Sequence, residues 1–90
     1  MKKLTKETAI EMIVDSQIDY EHFVDTFYDE NNYFVIHVGL LKDNPKDVSS
    51  DIYDDLYSDK QFLKVLNNLD NVVKLIIYNP YNHKQISYEM

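Results

Sequence analysis

The prediction of the fold starts from the run Tyr33-Phe34-Val35-Ile36-His37-Val38-Gly39-Leu40-Leu41. It is almost unbroken in apolar, β-branched and aromatic side chains, which predicts a strand that is covered on both faces. A second stretch of the same character follows at residues 72–78, VVKLIIY. We therefore expect two buried strands, and the other elements are interpreted by how they connect to these two.

The segment between the two strands predicts a loop and then two helices. Residues 42–49 include Pro45 and predict the loop. Ser49 or Ser50 is placed to cap a short helix that carries Ile52 and Leu56. Ser58 and Gln61 have the spacing of a capping box for another helix, whose apolar face would hold Phe62, Val65, Leu66 and Leu69. A helical crossover of this kind predicts that the two strands lie parallel.

The residues before the first strand predict one clear helix and one ambiguous element. Thr5 is placed to cap a helix with an apolar stripe of Ala9, Ile10, Ile13 and Val14. Residues 20–29 fit a second helix that stops at Asn31-Asn32, because Tyr20/Val24 and Phe23/Phe27 are four residues apart. They also fit a strand that turns at the two asparagines into residues 33–41. The helix is favoured.

The resulting prediction is a single α+β domain over residues 1–90, with element order ααβααββ. Residues 79–82, NPYN, predict a turn, and residues 83–88 would return as an edge strand. Helices would then pack on a three-stranded mixed sheet. With residues 20–29 as a strand, the sheet would have four strands.

Composition limits the kind of protein this is. The chain has 90 residues, no cysteine, and 16 acidic residues against nine basic ones, for a net charge of −7. The absence of cysteine fits a reducing compartment, so we expect a cytoplasmic, intracellular protein. The charge disfavours direct binding to nucleic acid or to an anionic membrane. No apolar run has the length of a membrane span.

The placement of the acids is more informative than their number. No lysine or arginine occurs between Lys6 and Lys42. Read as helices, three segments carry acids four residues apart, which would repel one another mildly: Glu7, Glu11 and Asp15; Glu21, Asp25 and Asp29; and Asp51, Asp55 and Asp59. Such a row has a spacing of about 6 Å, close to that of phosphates along a nucleic-acid strand. Solubility and helix-dipole effects are the simpler explanation of the same pattern.

Eight tyrosines in 90 residues are the second feature. Tyrosine is enriched at protein interfaces, although a place at the rim of the core explains most tyrosines equally well. Together with the acids, they give the candidate partner-binding residues: Glu21, Asp25, Asp29, Asp51, Asp54, Asp55, Asp59, Tyr53, Tyr57 and Tyr81.

The residues that usually support catalysis or cofactor binding are scarce. Gly39 is the only glycine and lies within a predicted strand, and the chain has no arginine. His37 is interpreted as a core histidine. His22 and Asp25, three residues apart, are the nearest approach to a metal-binding pair. We therefore predict no enzyme activity, no cofactor, and no catalytic or metal-ligating residue.

The sequence thus favours an inhibitor or adaptor that binds a basic protein surface, such as that of a nucleic-acid enzyme. In its size, its acidity, its lack of cysteine and its acid rows, it resembles the small acidic inhibitors of phages and mobile elements, including anti-CRISPR proteins and DNA mimics. That resemblance implies a protein partner and assigns no residue a role. The alternatives are a nuclease-toxin immunity protein or antitoxin, and a structural or oligomerising domain whose acids serve solubility. The partner and the oligomeric state stay open.

Overall fold

The computed structural model describes residues 5–41, 48–80 and 83–90. These form an α+β domain with three helices and one four-stranded mixed sheet. In chain order the elements are α1 (Lys6–Gln17), β1 (His22–Tyr28), β2 (Phe34–Leu40), α2 (Ser49–Tyr57), α3 (Lys60–Leu66), β3 (Val73–Asn79) and β4 (Lys84–Glu89). The predicted α+β class is confirmed, and the four-stranded alternative is the correct one.

The sheet has the order β1-β2-β3-β4. β2 and β3 lie parallel, as the helical crossover predicts, and β3 and β4 form the expected antiparallel hairpin. β1 pairs with β2 along its whole length, from His22 opposite Leu40 to Tyr28 opposite Phe34. The predicted loop at residues 42–49 and the turn at residues 79–82 fall largely outside the described residues.

The favoured prediction of a helix at residues 20–29 is wrong, because Asn31-Asn32 turns a hairpin instead of ending a helix. The Asp29 carboxylate accepts hydrogen bonds from the backbone N–H groups of Asn31 and Tyr33 at 2.9 and 3.0 Å. Asn32 has a φ of 62°, a left-handed conformation that asparagine tolerates well. The turn therefore delivers β1 directly to β2, where it gains a full ladder of hydrogen bonds.

The core lies between the sheet and the three helices. Ile10 and Val14 of α1, Ile52 and Leu56 of α2 and Phe62 of α3 pack in one cluster with alternate residues of β2 and β3. Burial of each such side chain contributes roughly 1.5–3 kcal/mol. Because only one set of alternate strand residues belongs to this cluster, all three helices cover the same face of the sheet.

The other side of the sheet, here called the open face, is covered by none of the described helices. By register it carries Phe23, Asp25 and Phe27 of β1, Val35, His37 and Gly39 of β2, Lys74, Ile76 and Tyr78 of β3, and Gln85, Ser87 and Glu89 of β4. His37 is half-buried there, with its ring centroid 5.6 Å from that of Phe23. The interpretation of His37 as a core histidine is wrong.

Gly39 is fitted to its partner on β1. The two residues are directly opposite in the ladder, and a Cβ at Gly39 would overlap the ring of Phe23. The ring thus covers the glycine from the open face, which compensates for the missing side chain in the strand.

We expect Gly39→Ala to destabilise the protein by about 1 kcal/mol, because the Phe23 ring must leave its place. In a Phe23→Ala background, the same change should be neutral or slightly stabilising, since alanine loses less backbone entropy than glycine on folding. Urea denaturation of the wild type, both single variants and the double variant measures this coupling. Additive effects of the two changes would contradict the close fit.

Candidate protein-interaction surface

The acidic segment of the chain forms α1 and β1, which pack against each other. α1 and β1 are packed together, and they and their flanking turns contain every acid between Lys6 and Lys42. These are Glu7, Glu11, Asp15, Asp19, Glu21, Asp25, Asp29 and Glu30. We call this region the α1–β1 surface. Eight acids without a lysine or arginine among them make it the most negative stretch of the sequence.

The three acids of α1 bond to alternate side chains of β1. Glu11 accepts a hydrogen bond from the Thr26 hydroxyl at 3.0 Å, and Asp15 lies 2.9 Å from Nε2 of His22. Glu7 accepts from the hydroxyl of Tyr28 at 2.5 Å. The predicted helical row of Glu7, Glu11 and Asp15 is therefore present, but its carboxylates also hold the helix to the strand.

The bond between Glu7 and Tyr28 changes the acidity of both groups. The hydroxyl of Tyr28 is the main cause that lowers the pKa of Glu7 below its ordinary value of 4.5. The same hydrogen bond raises the pKa of Tyr28 above its ordinary value of 10.0. Each shift favours the pair in which the carboxylate is charged and the phenol is neutral.

We expect Tyr28→Phe to lower the free energy of unfolding by about 0.5 kcal/mol at neutral pH, a small effect because the pair is exposed. The pKa of Glu7 is depressed in the folded state, so its stabilisation is present above pH 4.5 and is lost as pH falls through the folded pKa. The pKa of Tyr28 is raised, so its stabilisation is present below pH 10.0 and is lost as pH rises through the folded pKa.

Urea denaturation from below pH 4.5 to above pH 10.0 measures the free energy of unfolding of the wild type and of Tyr28→Phe. Tyr57→Phe is the control at an exposed tyrosine. The difference in free energy of unfolding between the wild type and Tyr28→Phe should disappear in acid and in strong base. A gap that is the same at every pH would show that the aromatic packing of Tyr28, whose ring lies 5.3 Å from that of Phe34, is the cause instead.

The second predicted row, Glu21, Asp25 and Asp29, does not form a helical row. Asp25 lies within β1, Glu21 precedes the strand and Asp29 follows it. Four residues span about 13 Å along a strand, compared with about 6 Å along a helix. Asp25 is exposed on the open face between Phe23 and Phe27, whereas the Asp29 carboxylate accepts hydrogen bonds within the hairpin turn. These acids therefore lose the spacing of phosphates and keep only their charge.

The third predicted row is also divided. Asp51 and Asp55 keep helical spacing on α2, and Asp54 is exposed beside them. Asp59 lies beyond the end of α2 and caps α3, where its carboxylate accepts from the backbone N–H of Phe62 at 3.0 Å. It also accepts from the side-chain amide of Gln17 on α1 at 2.5 Å. The prediction that Ser58 caps this helix is wrong, because Asp59 takes that position.

Asp59→Ala should destabilise the protein by about 1–2 kcal/mol, because it removes the cap of α3 and the bond from Gln17 together. Ser58→Ala is the matched control at the neighbouring residue and should change stability by less than about 0.5 kcal/mol. Thermal or urea denaturation of the two variants tests the assignment. Equal losses, or a larger loss for Ser58→Ala, would contradict it.

The predicted tyrosines divide in the same way. Tyr53 is half-buried against the core and stacks on Tyr88 of β4, with ring centroids 4.3 Å apart. The ring of Tyr57 also stacks on that of Tyr53, with ring centroids 5.6 Å apart, and Tyr57 is 54% exposed. Tyr81 lies outside the described residues. Of the predicted interface tyrosines in the described part of the chain, Tyr57 is the exposed one.

Sequence reasoning missed the aromatic residues of β1 as surface residues. Phe23 and Phe27 are each 45% exposed on the open face, on either side of Asp25. The signal was the alternation Phe-x-Asp-x-Phe, which is a strand pattern, and the helical interpretation of residues 20–29 concealed it. His22 and Asp25 point to opposite faces of β1, so the suggested metal pair is not formed.

A cleft of about 300 Å³ lies where α1 meets β1. It is lined by Thr8, Glu11, Met12, Asp15 and Val24. The side chain of Met12 is 59% exposed, so the cleft combines apolar groups with two carboxylates. A site of this composition suits a long basic side chain, whose methylene groups pack on apolar atoms while its charged end reaches the acids.

Comparison with protein-family models, with curated proteins and with solved structures gives no match to this chain. Within residues 5–41, 48–80 and 83–90, three or more metal-ligating side chains nowhere gather in one place. In the same ranges, none of the helices combines the length and the apolar character that crossing a membrane requires.

Proposed function

We propose that this protein is an acidic inhibitor or adaptor that binds a basic surface of a partner protein, and that the α1–β1 surface makes the contact. The observation that carries the proposal is the packing of α1 against β1, which brings together a segment with eight acids and no lysine or arginine after Lys6. Charge of one sign on one side steers an oppositely charged partner and suppresses binding to others.

Exposed aromatic residues support the choice of this side. Phe23 and Phe27 flank Asp25 and supply apolar area that a purely solubilising surface does not need. Interfaces combine such anchors with a charged rim. The α2 side offers fewer acids, Asp51, Asp54 and Asp55, and one exposed aromatic residue, Tyr57.

A basic groove that binds nucleic acid is one partner surface of this kind, and inhibition would then follow from occupying the groove. The proposed contact depends on charge and apolar area, not on an imitation of phosphate spacing, because Asp25 and Asp29 lie on and beside a strand. Repulsion by a net charge of −7 should keep the protein itself from binding nucleic acid at physiological salt. The proposal places the protein inside the cell, and it involves no catalytic step.

Two matched triple variants test the proposal. One replaces Asp19, Asp25 and Glu30, all exposed on the α1–β1 surface, with lysine. The other replaces Asp51, Asp54 and Asp55 on α2 with lysine. Each replacement of an acid by lysine adds two charges, so both variants go from −7 to −1 and differ only in where the charge changes.

The wild type and both variants are immobilised, and proteins retained from a lysate of the host cell are compared as salt rises. We expect the α1–β1 variant to lose basic proteins that the wild type and the α2 variant retain, with affinity at least about tenfold lower. Competition by duplex DNA for a retained protein identifies a nucleic-acid groove. Retention by both variants would indicate acids that serve solubility, and loss by the α2 variant alone would move the contact to α2.

A further inference from the structure

The outer edge of β1 is open among the described residues. The strand lies at one end of the sheet, and no described strand pairs with its outer side. Its pairing with β2 runs without interruption over seven residues, from His22 to Tyr28. A regular edge of this length presents a row of backbone donors and acceptors to any extended chain that approaches it.

The flanking hydrogen bonds show which backbone groups point outward. Leu41 donates to the carbonyl of Glu21 at 2.9 Å, and Asp29 donates to the carbonyl of Tyr33 at 3.0 Å. Bonded pairs alternate along an antiparallel ladder, so the odd-numbered residues of β1 bond to β2. The N–H and C=O groups of His22, Val24, Thr26 and Tyr28 therefore point away from the sheet.

β1 lacks the features that commonly block such an edge. It contains neither proline nor lysine, and its register shows continuous pairing. The opposite edge strand, β4, is shorter and begins with Lys84. There the bond from Met90 to Val73 implies that only Gln85, Ser87 and Glu89 point their backbone groups outward. β1 is the edge better suited to pairing.

The two sides of the β1 edge differ in chemistry. On the helix side, the cleft beside Val24 carries Glu11, Asp15 and the exposed Met12. On the open face, Phe23 and Phe27 expose apolar rings next to Asp25. A strand laid against this edge would send alternate side chains to the two sides. Basic side chains fit the helix side, and apolar side chains fit the open face.

We propose that β1 accepts an extended segment of the partner protein as a fifth strand, and that this segment alternates basic and apolar residues. The inference rests on the proposed function, because it specifies how the α1–β1 surface holds its basic partner. Main-chain hydrogen bonds would supply affinity and the two differing sides would supply specificity, as in other cases of strand addition.

A second copy of this chain is the less suitable occupant. Antiparallel pairing of β1 with another β1 brings together the acids within and beside both strands, which include Asp25, Asp29 and Glu30. Like charges across a strand pair are destabilising, and each chain carries a net charge of −7. A basic segment turns the same charges into attraction.

The probe is a synthetic nine-residue peptide of alternating lysine and valine with blocked ends. We expect it to slow amide hydrogen exchange at Val24, Thr26 and Tyr28 by at least about tenfold. The amides of Phe23, Asp25 and Phe27 should change little, because they already bond to β2. Equal protection of odd and even residues, or no protection at millimolar peptide, overturns the proposal.

Two N-methylated peptides separate backbone pairing from charge attraction. One carries methyl groups on the backbone nitrogens of its lysine residues and the other on those of its valine residues, so both keep the same charge. Strand addition requires that one peptide bind like the parent and the other fail. The peptide methylated at its lysine residues should fail to bind if the added strand is antiparallel. The peptide methylated at its valine residues should fail to bind if the added strand is parallel. Equal behaviour of the two overturns the proposal.

Thr26 supplies a matched pair of protein variants. Thr26→Pro removes an outward N–H without removing a bond to β2, and Thr26→Val keeps that N–H. Both lose the hydroxyl bond to Glu11, so that loss cancels in the comparison. With native circular dichroism in both, Thr26→Pro should bind the peptide at least about tenfold more weakly than Thr26→Val. Equal binding overturns strand addition.

The outcome also separates this inference from the proposed function. One outcome is that the strand-addition tests fail but the variant with Asp19, Asp25 and Glu30 replaced by lysine binds the peptide more weakly than the wild type. The acidic surface then binds basic partners without strand pairing to β1. If that variant binds the peptide as tightly as the wild type, the proposed function fails as well.

Discussion

β2 is paired with a strand on each side, and the positions of the other elements follow from that pairing. β1 lies antiparallel on one edge of β2 and β3 lies parallel on the other. Phe34, Ile36, Val38 and Leu40 enter the core under the helices, and Val35 is 2% exposed on the open face. Both edges of β2 are paired, and all of its residues except the half-buried His37 are buried, so β2 is the centre on which the hairpin before it and the crossover after it assemble the sheet.

This central strand makes the two sides of the sheet unequal. The crossover and α1 place all three helices on one face, where they form the core with alternate strand residues. The open face therefore depends on its own side chains for cover, as Phe23 does for Gly39. Among the described residues, the face without helices and the unpaired edge of the sheet meet at β1, which also lies beside the acids of α1.

The acids consequently have two roles that composition alone does not separate. Glu7, Glu11 and Asp15 bond to β1, Asp29 shapes the hairpin turn, and Asp59 caps α3. Asp25 lies among exposed aromatic rings, a place that solubility alone does not require. The three acids of α1 also place negative charge beside β1, where it acts on a partner at long range. Stability and attraction for a basic partner are thus compatible at this surface.

The elements whose signals are local could be predicted from the sequence. The apolar runs predicted β2 and β3, Thr5 and the apolar stripe predicted α1, and the crossover predicted the parallel pair. It also showed where the acids concentrate along the chain, but it did not separate the exposed Tyr57 from the half-buried Tyr53. The secondary structure of residues 20–29 could not be predicted in this way, because their aromatic spacing fits a helix but a seven-residue ladder with β2 favours a strand. Three further features arise from contacts between residues distant in sequence: the bond of Gln17 to Asp59, the stacking of Tyr53 on Tyr88, and the edge of β1 with which no described strand pairs. No local sequence pattern predicts such contacts.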